Sequence, residues 1–120
     1  MTVAELRDIA LKLKGVTEDI KWGSHICFNI GSKMFLITSP DLIPSTSMFK
    51  VPLEYFDEVI TREGFSKEPH LGRYYWVHLD DINRLTKKEW EQFIIQSYRL
   101  VKDKLSTKMK KQLGLMVTLS

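Results

Sequence analysis

A single cysteine, Cys27, excludes an internal disulfide in this 120-residue chain and leaves only intermolecular pairing open, a usage that fits a reducing compartment. No apolar run approaches the roughly 18 residues that a membrane-spanning helix requires. The opening MTVAELRD has neither the basic start nor the apolar core of a signal peptide. A soluble, cytoplasmic, membrane-free protein is expected. Gly-x-x-x-x-Gly-Lys and Gly-x-Gly-x-x-Gly are both absent, so nucleotide-dependent chemistry has no support.

Metal and nucleophile chemistry are poorly supplied too. His25 and Cys27 lie two apart and share one face of a strand, but no Cys-x-x-Cys or close His pair completes a ligand set. A Cys27 nucleophile would need His25, His70 or His78 as its base together with an oxyanion donor, and nothing local provides them. Cys27 is expected to pack as a small hydrophobe. No metal, cofactor or catalytic residue is assigned, and the chain is not expected to be an enzyme.

What is present suits one domain: 43% of residues are hydrophobic, enough for a single core. Thr2-Val-Ala-Glu5 and Thr86-Lys-Lys-Glu89 are capping-box patterns, each followed by apolar residues at helical spacing. They predict helices over about Val3–Lys14 and from Thr86 through a stripe of Trp90, Phe93, Ile94, Tyr98, Val101 and Leu105. Ser106-Thr107 is expected to interrupt the second, with a short helix over Lys108–Leu113. Leu115–Ser120 is expected to be disordered or to dock on a neighbour.

Between the helices, Ile26–Ile30 and Lys33–Ile37 flank Gly31-Ser32, which predicts a hairpin with a II′ turn. Pairing Ile30 with Lys33 would set Phe28 opposite Phe35 and Ile26 opposite Ile37 on one core-facing side. Thr17–Lys21 is a polar, extended lead-in. Thr46–Val51 should add the third strand of a meander, with Met48 and Phe49 on opposite faces. Pro52 opens a short helix with Leu53, Phe56, Val59 and Ile60 inward and Gly64 as its stop. Phe65–Arg73 reads as an irregular crossover before a strand at Tyr74–Leu79. The sum is a two-layer α+β domain, an antiparallel sheet with flanking helices in the order α-β(3)-α-β(1-2)-α.

Charge is unevenly spread. Residues 1–60 hold six Lys/Arg against eight Asp/Glu, and residues 61–120 hold twelve against seven. Most of the basic excess sits in Arg99, Lys102, Lys104, Lys108, Lys110 and Lys111, opposed only by Asp103, a density that suits phosphate contacts, with Lys108, Lys110 and Lys111 as the candidate contacts, although the same run also reads as the solvated face of a helix. Pro69-His-Leu-Gly-Arg-Tyr-Tyr-Trp76 joins His70, Arg73 and three aromatics, a set that can stack on bases and hold phosphates. The structural alternative has Trp76 covering the sheet, Arg73 paired with an acid and His70 capping the loop.

Gly15-Val-Thr-Glu-Asp19, Trp22-Gly23, Phe28, Gly31-x-Lys-Met-Phe35, Pro69-His-Leu71, Trp76-Val77 and Ser97-Tyr98 together resemble the MmcQ/YjbR-like family of small bacterial proteins over about Leu6–Leu113. Lys14 stands where that family usually has proline, and Gly72-Arg73 where it often has Asn-Lys. The resemblance implies a frataxin-like and secretion-chaperone-like α+β fold, and a DNA-binding role with paired wing-like hairpins. A frataxin-like iron role would want an acidic ridge, which Glu5, Asp8, Glu18 and Asp19 do not make. The expected partner is DNA, held by Trp22, His25, Lys33, His70, Arg73, Trp76, Lys108, Lys110 and Lys111. The alternative is a protein or small anionic ligand in a groove near His70, Arg73 and Trp76.

Overall fold

The computed structural model describes residues 1–115. Thr2 caps α1 (Val3–Leu11) through the expected box: its hydroxyl accepts from the Glu5 N–H while its own N–H donates to the Glu5 carboxylate. Such a cap contributes about 0.5–2 kcal/mol. The sheet comprises β1 (Val16–Lys21), β2 (His25–Ile30), β3 (Lys33–Ser39), β4 (Thr46–Lys50), β5 (Phe65–Lys67) and β6 (Trp76–Leu79). All its pairings are antiparallel, in the order β1-β2-β3-β4-β6-β5. Helix α2 (Leu53–Val59) follows β4, while α3 (Lys87–Asp103) and α4 (Thr107–Gln112) follow β6. The domain is α+β as expected, with one more strand in the first block and two strands after α2.

The extra first strand is β1, an edge strand whose four central residues are exposed. Only Val16 at its start packs against the core, so the strand lacks the alternation that marks a half-buried strand. It is held instead by main-chain pairing to β2 and by the Arg7–Glu18 ion pair at 2.6 Å.

The β2–β3 turn departs from expectation in type. Gly31 and Ser32 both have positive φ, 57° and 67°, which makes the turn I′ rather than II′. Pairing begins as predicted at Ile30–Lys33 and Asn29–Met34, but Phe28 then meets Leu36, and Ile26 meets Thr38. Phe35 is the extra residue of a β-bulge. Phe35 and Leu36 therefore both enter the helix-side core, and Ile37 crosses to the other face beside Cys27 and Trp76. The predicted single face of Ile26, Phe28, Ile30, Phe35 and Ile37 is corrected accordingly.

On the helix side, Trp90 is fully buried, lies edge-on to Phe49 and donates its indole N–H to the Ile82 carbonyl at 2.8 Å. Buried Ser97 ties α3 to two strands: its hydroxyl donates to the Phe35 carbonyl at 2.5 Å and accepts the Lys50 N–H at 2.9 Å. Tyr98 donates to the Lys14 carbonyl at 2.6 Å, joining α3 to the end of α1.

The segment after α2 is more ordered than an irregular crossover. Buried Glu68 accepts the N–H groups of His70 and Leu71, so this carboxylate caps the loop and not His70. A 3-10 turn follows at Gly72–Tyr74, and Tyr75 adopts a left-handed φ of 68°, which delays β6 to Trp76. Leu71 and Trp76 then cover the sheet face opposite the helices, against Cys27 and Ile37. Ser106 caps α4 by accepting the Met109 N–H. Of the Leu115–Ser120 segment expected to be disordered or docked, Leu115 donates its N–H to the Lys110 carbonyl at 2.8 Å and packs against the core, and residues 116–120 lie outside the described residues. No helix among the described residues is long and apolar enough to cross a membrane.

Candidate anion-binding groove

The β2–β3 turn, the end of β4, the start of β6 and the α3–α4 junction meet at one end of the sheet. Between them lies an open groove of about 660 Å³. Its apolar lining is Met34, Leu71, Trp76, Val101, Leu105 and Met109, with half-exposed Tyr74 also on it. Lys33, Lys50 and Lys104 supply its charge. No acidic residue or histidine lines it, and among the described residues no carboxylate lies within 4 Å of any of the three ammonium groups.

This charge is built in by unrelated local causes. Lys33 opens β3 directly after the I′ turn. A Cβ on Gly31 would come within 2.9 Å of Leu105, so the turn packs closely on the α3–α4 junction. Lys50 ends β4, where the Ser97 hydroxyl fixes its backbone. Lys104 is the C-cap of α3. There a cation also complements the negative end of the helix dipole. Lys50 responds to its surroundings: loss of hydration in the groove, followed by hydrogen bonding and charge from Lys104, pulls its pKa from 10.5 to about 8. An apolar wall facing unpaired ammonium groups is chemically fitted to an anion with an apolar body.

The residues singled out in the sequence divide between the two ends of the sheet. Lys33 and Trp76 line the groove, though Trp76 is only 6% exposed and acts as wall. Arg73 sits beside it with its guanidinium 4.8 Å from the Tyr74 ring centre and, among the described residues, no acidic partner. His70 is exposed on the loop that delivers Leu71. Lys108 and Lys111 are exposed on α4 around Met109, while Lys110 donates to the Asp103 carbonyl at 3.1 Å.

Trp22 and His25 are not with them. They belong to the β1–β2 turn, where the His25 ring contacts the Ser39 hydroxyl at the far end of β3, about 20 Å from the groove at ~3.3 Å per residue. A joint grip by Arg73, Trp22 and Trp76 is therefore corrected: Trp22, 65% exposed, rests edge-on to His25. Sequence reasoning missed Lys50, which carried no local signal beyond being a lysine, and saw Lys104 only as one member of the basic C-terminal run.

Two layers, a six-stranded antiparallel sheet and helices packed on one face define the class of fold. Within that class the chain belongs to the YjbR family, whose family model matches residues 11–100. It is similar to the crystal structure of the Deinococcus radiodurans protein DR2400, a DUF419-domain protein. That likeness has a TM-score of 0.84 at 23% identity, over 99% of this chain and 92% of that one. A protein from Pseudomonas syringae is similar with a TM-score of 0.69 at 18% identity, over 84% of this chain and 99% of that one. These likenesses speak to the fold. A comparison with curated proteins gives no match.

Proposed function

We propose that this YjbR-family chain is a non-enzymatic, cytoplasmic binding domain whose ligand is an anion with an apolar body. The charge lies among Lys33, Lys50 and Lys104, and the apolar part lies on Leu71, Trp76, Leu105 and Met109. The observation that carries this reading is a groove lined by three lysines and, among the described residues, by no acidic residue, with the Lys50 and Lys104 side chains close enough to interact. Each such charge-assisted contact is worth about 1.5–3 kcal/mol, so a ligand that engages them is bound measurably.

A second reading, DNA, is favoured by the exposed cations beside the groove, Arg73 next to Tyr74 and Lys108 and Lys111 on α4. It spreads the phosphates outside the groove and relegates the apolar wall to packing.

Titration with hexyl phosphate, duplex DNA and single-stranded DNA at low and moderate salt separates the two readings. The groove reading expects saturable hexyl phosphate binding, weakened about tenfold or more by Lys104→Gln. The DNA reading expects affinity that falls steeply with salt and a flatter slope after Lys108, Lys110 and Lys111 are changed to Gln. Absence of binding to all three at low salt contradicts both.

A further inference from the structure

We infer that Lys50 is a reactive amine that captures anionic aldehydes as reversible imines, with Lys33 and Lys104 holding the anion beside it. The inference rests on the anion-binding reading of the groove and adds a covalent step to it. Lys50 is the last residue of β4, and its backbone is anchored to Ser97, which is itself anchored to Phe35 on the neighbouring strand. Its stem therefore starts from a fixed point at the groove floor.

The groups that share the groove with it are Lys33 from β3, Lys104 from α3 and Tyr74 from the 3-10 turn, with no carboxylate or imidazole among the lining residues. An ammonium there is disfavoured twice, by lost hydration and by like charge, with no acid to offset either. Lysines that form imines are activated by either of these conditions, an apolar pocket or an adjacent cation. The drop of the Lys50 pKa to about 8 agrees. At pH 7 about a tenth of such a group is free amine, against less than about a thousandth for a lysine at 10.5.

The chemistry needs nothing else. The Lys50 nitrogen attacks the aldehyde carbon and a C–N bond forms. The carbonyl oxygen then leaves as water, carrying away the two amine hydrogens as the C=N bond is completed. No electrons are exchanged, and added water reverses the step. Aldehydes fit because water is the only leaving group required, and an anionic substituent fits because two ammonium groups remain to bind it.

The test uses pyridoxal phosphate as the aldehyde probe and pyridoxine phosphate, its alcohol counterpart, as a probe that binds without reacting. The protein is mixed with limiting aldehyde at pH 7, trapped with borohydride and mapped by peptide mass spectrometry. Lys50 is expected to carry the adduct with at least about tenfold preference over any other lysine. Lys50→Arg, which keeps the charge but not the nucleophile, should lose the imine absorption, while the wild-type protein should bind pyridoxine phosphate without forming an imine.

An adduct spread evenly over the surface lysines, or unchanged in Lys50→Arg, overturns the inference and leaves the anion site standing if the alcohol still binds. If neither probe binds, the anion-site reading falls and the inference falls with it.

Discussion

The two ends of α3 treat charge in opposite ways. At its N-terminal end every nearby arginine has an acid: Arg62 meets Glu89 at 3.0 Å, and Arg84 meets Asp80 at 2.6 Å and Glu63 at 3.5 Å. Glu89 also closes the capping box with Thr86, and Trp90 finds the Ile82 carbonyl. At the C-terminal end Lys104 lies beside Lys50 in a groove that Lys33 also lines. At one end the arginines are paired within the chain, and at the other three lysines line a groove with no carboxylate within 4 Å of their ammonium groups among the described residues. The comparison locates function better than net charge does, because the formal +3 is small and says nothing about where cations lack partners.

The sharpest break between the ends should come from packing. Trp90→Ala removes a fully buried indole and its hydrogen bond, and should cost about 3–5 kcal/mol in denaturant unfolding. Nothing of that size is expected from the lysines. Ser97→Ala comes next, at about 1–3 kcal/mol, because it orphans the Lys50 N–H and loosens the floor from which Lys50 rises. Since that change acts on the groove, it should also weaken hexyl phosphate binding. Gly31→Ala forces a side chain into a positive φ against Leu105 and should cost about 1–3 kcal/mol, read in the same assay.

Acid and base should act on opposite ends. The Glu89 carboxyl is held below its ordinary range by the Thr86 backbone N–H and then by Arg62. Its contribution is therefore present above the usual carboxylate pKa and lost as pH falls through the lowered value. Lys50 runs the other way. Its folded pKa, about 8, lies below the 10.5 of the unfolded chain, so between those values the unfolded chain binds more protons and stability rises with pH. Unfolding midpoints of wild type and Lys50→Gln at pH 7 and pH 10 isolate this contribution as a rise present in the first and absent in the second.

The smallest stability effect is that of Lys104→Gln, within about 0.5 kcal/mol and of either sign, because it removes a cation with no acidic partner. The same substitution should raise the Lys50 pKa, since two of the three causes of its depression come from Lys104.

What the sequence made legible was local. Thr2 with Glu5 and Thr86 with Glu89 announced their helices because both members of each box lie within one turn. The Phe35 bulge was hidden, since Met34–Ile37 is an unbroken apolar run that shows no alternation to fix which residue is the extra one. β1 was obscured by its own exposed Thr17, Glu18 and Asp19. The groove was half visible: Lys33 and Trp76 stood out through the turn and the aromatic run, whereas Lys50 and Lys104 are brought together only by tertiary folding. Trp22 and His25 drew attention as unusual residues, and residue type alone does not say that a strand's length separates them from the groove.

The account turns on Lys33, Lys50 and Lys104 forming a site for an anion, and the side-chain nitrogen and Cε resonances of Lys50 report on that directly. Their pH titration should give a value near 8 in the free protein. Saturating hexyl phosphate should move it upward, because an adjacent anion favours the charged amine, and should shift Lys104 and the Met34 and Met109 methyl groups with it. A Lys50 titration that stays unchanged with ligand, with shifts confined to Lys108 and Lys111, would contradict the claim and transfer the anion to the outer face of α4.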